Sequence, residues 1–238
     1  MAEIKGIRSF KKPVNQKASV VQLVVERIKQ ALLKKELKPG DFLPSETELT
    51  KSLGISKSSV REAIKMLQAM GIVEVRRGQG TIISKQPSPD YINTLLFQLI
   101  VEGSDPRHIV DLRIMFETAC TLMAVEHATE ADIAQIRETI NGLEKSIHNG
   151  RPSIEKDFEF HLAVLNSTHN PLVIMLGDMV FELFKQSISK PMMKSPDKAL
   201  RDHKRIFSAF LKKDEERLRK EIVRSLRRWI QVIDSQKL

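Results

Sequence analysis

The chain contains a single cysteine, Cys120, in 238 residues. An internal disulfide framework is excluded, and a reducing compartment is the expected setting. No apolar run reaches the roughly 18 residues of a membrane-spanning helix, and the opening MAEIKGIRSFKKPVNQ lacks the apolar core of a secretion signal. A cytoplasmic protein with no membrane partner is therefore expected. HExxH helices, P-loops and nucleophile elbows are also missing, which removes the usual sequence marks of several hydrolase classes. No internal repeat and no low-complexity tract is found.

What is present is a 41% apolar composition, enough for packed cores in two domains of ordinary size, and a net charge of +9. The charge is unevenly distributed. Up to Lys85 there are 17 Lys+Arg against 8 Asp+Glu, and from Gln86 onward the counts are 22 and 22. Such asymmetry points to a basic module for a phosphate-rich partner, joined to a neutral module with another task. Charge alone is equally consistent with a solvated lysine-rich surface.

Residues 1–18 carry Lys5, Arg8, Lys11, Lys12 and Lys17 without apolar periodicity and read as a basic flexible arm. Residues 19–85 follow the order helix, helix, helix, hairpin. Leu23, Val24, Ile28, Ala31 and Leu32 keep helical spacing before Lys38-Pro39-Gly40-Asp41 breaks the helix. Ser45-Glu46-Thr47-Glu48 has the form of a capping box, Gly54 suits a left-handed C-cap, and Ser56 opens a third helix to about Met70. Val60, Ala63, Ile64 and Leu67 share one face of that helix, and Lys57, Ser58, Arg61 and Lys65 the other. Val73–Val75 and Thr81–Ile83 flank a basic, glycine-rich tip, Arg76-Arg77-Gly78-Gln79-Gly80. Gln86–Asp90 reads as a linker, and residues 91–238 as an antiparallel all-helical bundle. Its helices are expected near 90–102, 105–127, 130–148, 153–168, 171–189, 196–212 and 214–235. The expected fold is thus mainly α, a winged helix-turn-helix followed by a bundle of six to seven helices.

A short helix, a tight turn and a second helix with a polar outer face fit the major groove of B-DNA. Ser56, Ser58 and Ser59 stand at that helix's N-terminus, where free amides favour phosphate. Lys57 and Arg61, one turn apart, are suited to guanine O6 and N7, and Arg77 with Gly78 to the adjacent minor groove. Ser45 and Lys65 complete the expected DNA contacts. Each serine has a second reading as a helix cap, and Lys65 as a solvated side chain.

Leu43-Pro44-Ser45-Glu46, Leu49, Gly54-Ile55-Ser56-Lys57, Val60-Arg61-Glu62-Ala63, Leu67, Gly71 and Gly78-Gln79-Gly80-Thr81 together resemble the N-terminal domain of GntR-type bacterial regulators. The resemblance implies that Ser56, Lys57, Ser58, Ser59, Arg61, Arg77 and Gly78 meet operator DNA. Lys57 stands where an arginine is usual, replacing a planar fork by a point charge, and Thr47 stands where relatives often carry arginine.

All six histidines follow the linker. Asp157 and His161, four apart, share a helix face with Val164 and Leu165, and His203 falls on a stripe with Ile206, Phe207 and Phe210. Both histidines should point inward, where an imidazole needs a hydrogen bond or a metal, and His with carboxylate suits zinc, nickel or manganese. By spacing alone, Asp157 and His161 read first as an intrahelical polar pair. Arg113 with Glu117, Asp157-x-x-Phe160-His161, Asn170, Asp202-His203 and Asp214 are similar to the C-terminal FCD-type ligand domain of the FadR-like branch. That resemblance implies a divalent metal on Asp157, His161 and His203, with the usual fourth ligand replaced by Ser225. It also implies a small organic acid recognised at Arg113, Glu117 and Asn170, although Arg113 and Glu117 also read as a simple i,i+4 pair. Met115, Met123, Met175, Met179, Met192 and Met193 are candidates for an adaptable pocket lining or for plain core.

The expectation is a homodimeric regulator, acting as a repressor on palindromic operator DNA under the control of a small carboxylate, and not an enzyme. Two alternatives stand beside it: a metal-dependent hydrolase built on Asp157, His161 and His203, and an architectural DNA binder without a ligand.

Overall fold

The computed structural model describes residues 20–85, 105–193 and 195–234. The chain divides into two compact units, residues 1–98 and 99–238. The expected arm, linker and 90–102 helix lie outside the described residues.

In the first unit, α1 (Val20–Leu33), α2 (Glu46–Leu53) and α3 (Lys57–Ala69) are followed by β1 (Val73–Arg76) and β2 (Gly80–Ile83). The expected stripes become the core: Val24 and Ile28 of α1, Leu49 of α2, and Val60, Ala63 and Leu67 of α3 are all buried. The capping box forms, with the Ser45 N–H donating to Glu48 Oε2 at 2.8 Å and the Glu48 N–H to Ser45 Oγ at 3.3 Å. Gly54 caps α2 in the left-handed region at φ 67°, a conformation that costs other L-residues. The hairpin pairs Val73 with Ile83 and Arg76 with Gly80, leaving Arg77-Gly78-Gln79 at its tip. The segment expected only to break α1 runs along the hairpin, with the Leu43 N–H donating to the Thr81 carbonyl and the Gly40 N–H to that of Ile83, both at 2.8 Å, so the wing gains a third edge.

The second unit contains α4 (Pro106–His127), α5 (Glu130–His148), α6 (Ile154–Asn166), α7 (Pro171–Met193), α8 (Pro196–Leu211) and α9 (Glu215–Asp234). Helix α7 is four residues longer than expected, and the other bounds agree within two residues. Asp105, the Thr129/Asp132 capping box and Ser153 start α4, α5 and α6. Helix α4 packs on α9, α5 on α6 and α8, α6 on α7, and α8 on α9. Phe184, Ile136, Leu143, Leu165, Leu218, Ile222 and Leu226 form the fully buried centre. No helix among the described residues is long and apolar enough to cross a membrane.

Candidate functional site

On α3, Ser56, Lys57, Ser58, Arg61 and Lys65 are exposed and Ser59 is half-buried; Arg77 and Gly78 at the wing tip are exposed, as is Ser45 ahead of α2. The serines are occupied among themselves. Ser56 Oγ caps α3 by accepting from the Ser59 N–H at 3.2 Å, and it lies 2.9 and 2.8 Å from the hydroxyls of Ser58 and Ser59. Ser56 thus forms the expected cap while remaining an exposed residue. Arg61 has a partner that the sequence reading missed: its Nε donates to Glu46 Oε2 at 2.8 Å, tying the exposed face of α3 to the start of α2. Arg76 pairs with Glu74 at 3.0 Å along the wing.

In the helical unit four histidines, His108, His127, His148 and His169, are exposed, while His161 and His203 are buried. Asp157 and His161 on α6 meet His203 of α8, so that one ligand atom from each lies within 4.8 Å of the others. His203 Nε2 stands 3.3 Å from His161 Nε2 and 3.4 Å from Asp157 Oδ1, and His161 Nε2 stands 3.9 Å from Asp157 Oδ2. Two ligands on one tetrahedral zinc with bonds near 2.0 Å are about 3.3 Å apart, close to the His203–His161 and His203–Asp157 separations, while His161 stands farther from the other Asp157 oxygen. Asp157 Oδ1, which faces His203 Nε2, is buried without a hydrogen-bond partner, which is the state expected of a group waiting for a ligand. Burial raises the Asp157 carboxyl above its ordinary range, against the pull of His161 and Arg113. Burial and the neighbouring His161 hold His203 well below the usual imidazole value, leaving it neutral and able to donate a lone pair to a metal. The donor set and its spacing fit a divalent cation.

Arg113 and Glu117 of α4 complete the cluster from a third side. The Arg113 Nε donates to Glu117 Oε1, Arg113 Nη2 lies 3.0 Å from His161 Nε2, and Glu117 Oε2 lies 3.3 Å from His161 Nδ1. Phe158 and Phe184 face the guanidinium at 5.7 and 5.3 Å, and Phe160 stacks on His203 at 4.2 Å. Although Glu117 is buried, its carboxyl is lowered to about 2, because the Arg113 and His161 charges and hydrogen bonds outweigh the burial.

Asn170 caps α7, its Oδ1 accepting from the Leu172 and Val173 N–H groups at 3.1 and 3.3 Å. Ser225 is buried on the same side of α9 as Leu218, Ile222 and Leu226. Met115 is 64% exposed and lines no interior space, and the side chains of Met192 and Met193 lie outside the described residues. The cavity beside His161 and Glu117 measures about 10 Å³, room for roughly one water. A much larger open groove, about 740 Å³, runs between α8 and α9 and is lined by Arg205, Arg219, Lys220, Arg224 and Arg227. There the buried Asp202 beside His203 is paired with Arg228, with Arg224 Nη2 at 3.8 Å.

Residues 21–83 match the bacterial regulatory proteins of the gntR family, and residues 108–228 match the FCD domain. The chain belongs to the GntR family and carries an FCD ligand-binding domain. It is 30% identical over 181 residues to the HTH-type transcriptional regulator LutR of Bacillus subtilis, covering 73% of this chain and 83% of that protein. It is likewise 30% identical over 183 residues to the galactonate operon transcriptional repressor of Escherichia coli, covering 74% and 80%. Among solved structures, a Streptococcus agalactiae GntR protein superposes with a TM-score of 0.59 at 24% identity, covering 87% of this chain and 96% of that one. The chain is accordingly a DNA-binding transcription regulator and not the hydrolase that its buried ligands alone left open.

Proposed function

We propose that this GntR-family regulator is a cytoplasmic homodimeric repressor whose affinity for palindromic operator DNA is set by a divalent metal and a small organic acid in the helical domain. The observation that carries the reading is the convergence of Asp157, His161 and His203 at 3.3–3.9 Å in a buried site. A stability role alone would favour apolar side chains there, since burying carboxylate and imidazole is costly unless they are paired or ligated. Zinc, nickel or manganese suits the set, and three protein ligands leave a position for water or a carboxylate oxygen. Arg113 supplies a planar fork for that carboxylate. Because the adjoining cavity holds about 10 Å³, an organic acid must open the site to enter, and this opening is the conformational change that ligand binding can favour.

At the other end, Lys57, Ser58 and Arg61 read base edges in the major groove while Ser45, Ser56, Ser59 and Lys65 hold phosphates and the Arg77-Gly78 tip follows the minor groove. Two such heads in a dimer require half-sites one helical turn or a multiple apart. The E. coli relative named for repression of the galactonate operon agrees with both repression and an acid effector. The test is a crystal grown with zinc and examined at the zinc absorption edge. An anomalous peak among Asp157, His161 and His203 is expected, and a featureless map there overturns the metal part of the reading.

A further inference from the structure

Glu117 uses both of its oxygens, one on Arg113 Nε and the other on His161 Nδ1 at 3.3 Å. A carboxylate accepts only, so the proton between them belongs to Nδ1 and the lone pair of His161 is left on Nε2. That is the atom aimed at His203 and Asp157. Arg113 Nη2, at 3.0 Å, donates into the same lone pair. One lone pair serves one partner, so a cation on His161 Nε2 and this guanidinium bond exclude each other, and the two positive charges also repel at this distance. Displacement from His161 does not release Arg113 altogether, because its Nε remains tied to Glu117 on the next turn of α4.

We propose that Arg113 is the built-in occupant of the metal site: its guanidinium holds the His161 lone pair until a divalent cation takes it, and the freed Nη2 then becomes the donor that meets an effector carboxylate. Glu117 is the positioning residue, fixing the His161 tautomer and keeping Arg113 within reach. The inference rests on the metal-site reading above and adds an order to it, metal before acid. It also gives opposite signs to two neighbouring residues that a purely structural role would treat alike.

The experiment titrates zinc alone into the metal-free full-length chain against a chromophoric chelator, with His161→Ala as the blank and circular dichroism as the check on folding. Arg113→Met removes the competing donor and its charge, and the zinc association constant is expected to rise by about tenfold or more. Arg113→Met also leaves Glu117 buried without its partner and risks misfolding. Arg113→Lys therefore serves as the second variant: it keeps an ion pair with Glu117, but a point charge does not span Glu117 and His161 as the fork does. It is expected to raise the constant by a smaller factor. Glu117→Gln is expected to lower it by about 10–100-fold, as for other residues that orient metal-bound histidines. If the wild type binds zinc and the folded Arg113 variants bind it equally or more weakly, the inference is overturned while the metal site stands. If only the Arg113 variants bind zinc, the guanidinium is the occupant and the inference is supported. If neither wild type nor variants bind it, the metal reading and the inference fall together.

Discussion

Arg61 reaches from the exposed face of α3 to Glu46 at 2.8 Å, and the ion pair is more than half exposed on the arginine side. Exposed pairs contribute about 0–1 kcal/mol, whereas a good guanine contact is worth about 1–3 kcal/mol. Arg61→Ala is therefore expected to leave unfolding nearly unchanged while weakening operator binding by about 1–3 kcal/mol in a mobility-shift titration. Equal affinities for wild type and variant would remove Arg61 from the readers. In the helical unit, burial and the Glu117 charge push the Cys120 thiol up to about 12. Thiolate is then scarce at pH 8, and Ellman's reagent should react only after denaturation; rapid reaction in the native state would mean that this interior is open to solvent. Residues differ in how far the sequence exposed them. The Arg113–Glu117 pair was legible because four positions along a helix make a turn. Glu117 reaching His161 on α6, and Glu46 reaching Arg61, were not, because both depend on how helices pack and no local spacing encodes that.

Helix starts carry their own signals, and these were read correctly. Ser45 and Glu48 close a reciprocal capping box, so Ser45→Ala should lower stability by about 1 kcal/mol in urea unfolding. No loss at all would mean that water replaces the cap without cost. The apolar stripes of α1, α3, α6 and α8 were equally legible, since a period of 3.6 residues shows in the order of side chains alone. The third edge of the wing was not: Phe42 pairs with Ile82 through a single bridge, too short to leave an alternating pattern. Helix contacts also hid from the sequence. A Cβ on Gly177 of α7 would fall 3.0 Å from Leu165 Cγ on α6 and nearer still to both its methyl groups. Leu165 is buried, so its methyl groups must shift within the core to admit the new Cβ. Gly177→Ala gains about 1 kcal/mol of helix propensity and loses about 1–3 kcal/mol to overpacking. A lowered melting temperature is expected, and an increase would show that the α6–α7 contact relaxes freely.

At the level of the whole molecule, charge and chemistry are separated. The excess of cations lies in the first unit, where the exposed α3 face and the wing tip suit DNA, and the buried ionisable cluster lies in the second. The equal counts of acid and base in the second part conceal the arginine-lined groove between α8 and α9, because a sum along the chain does not register where side chains gather in space. The tight packing around His161 was also illegible, since a void of about 10 Å³ depends on rotamers rather than on residue types. In the function proposed above, the state of the buried cluster sets the affinity of the DNA-reading unit. This coupling is tested most directly by measuring the affinity of the full-length chain for a palindrome selected from random duplexes, in chelator and again with zinc and a panel of small organic acids. Wild type is expected to change its affinity by about 5–150-fold with at least one acid, the usual range of coupling between two sites, while His161→Ala keeps the basal affinity within about twofold and loses the response. A wild type indifferent to every acid, or a His161→Ala protein that responds as the wild type does, would overturn this coupling.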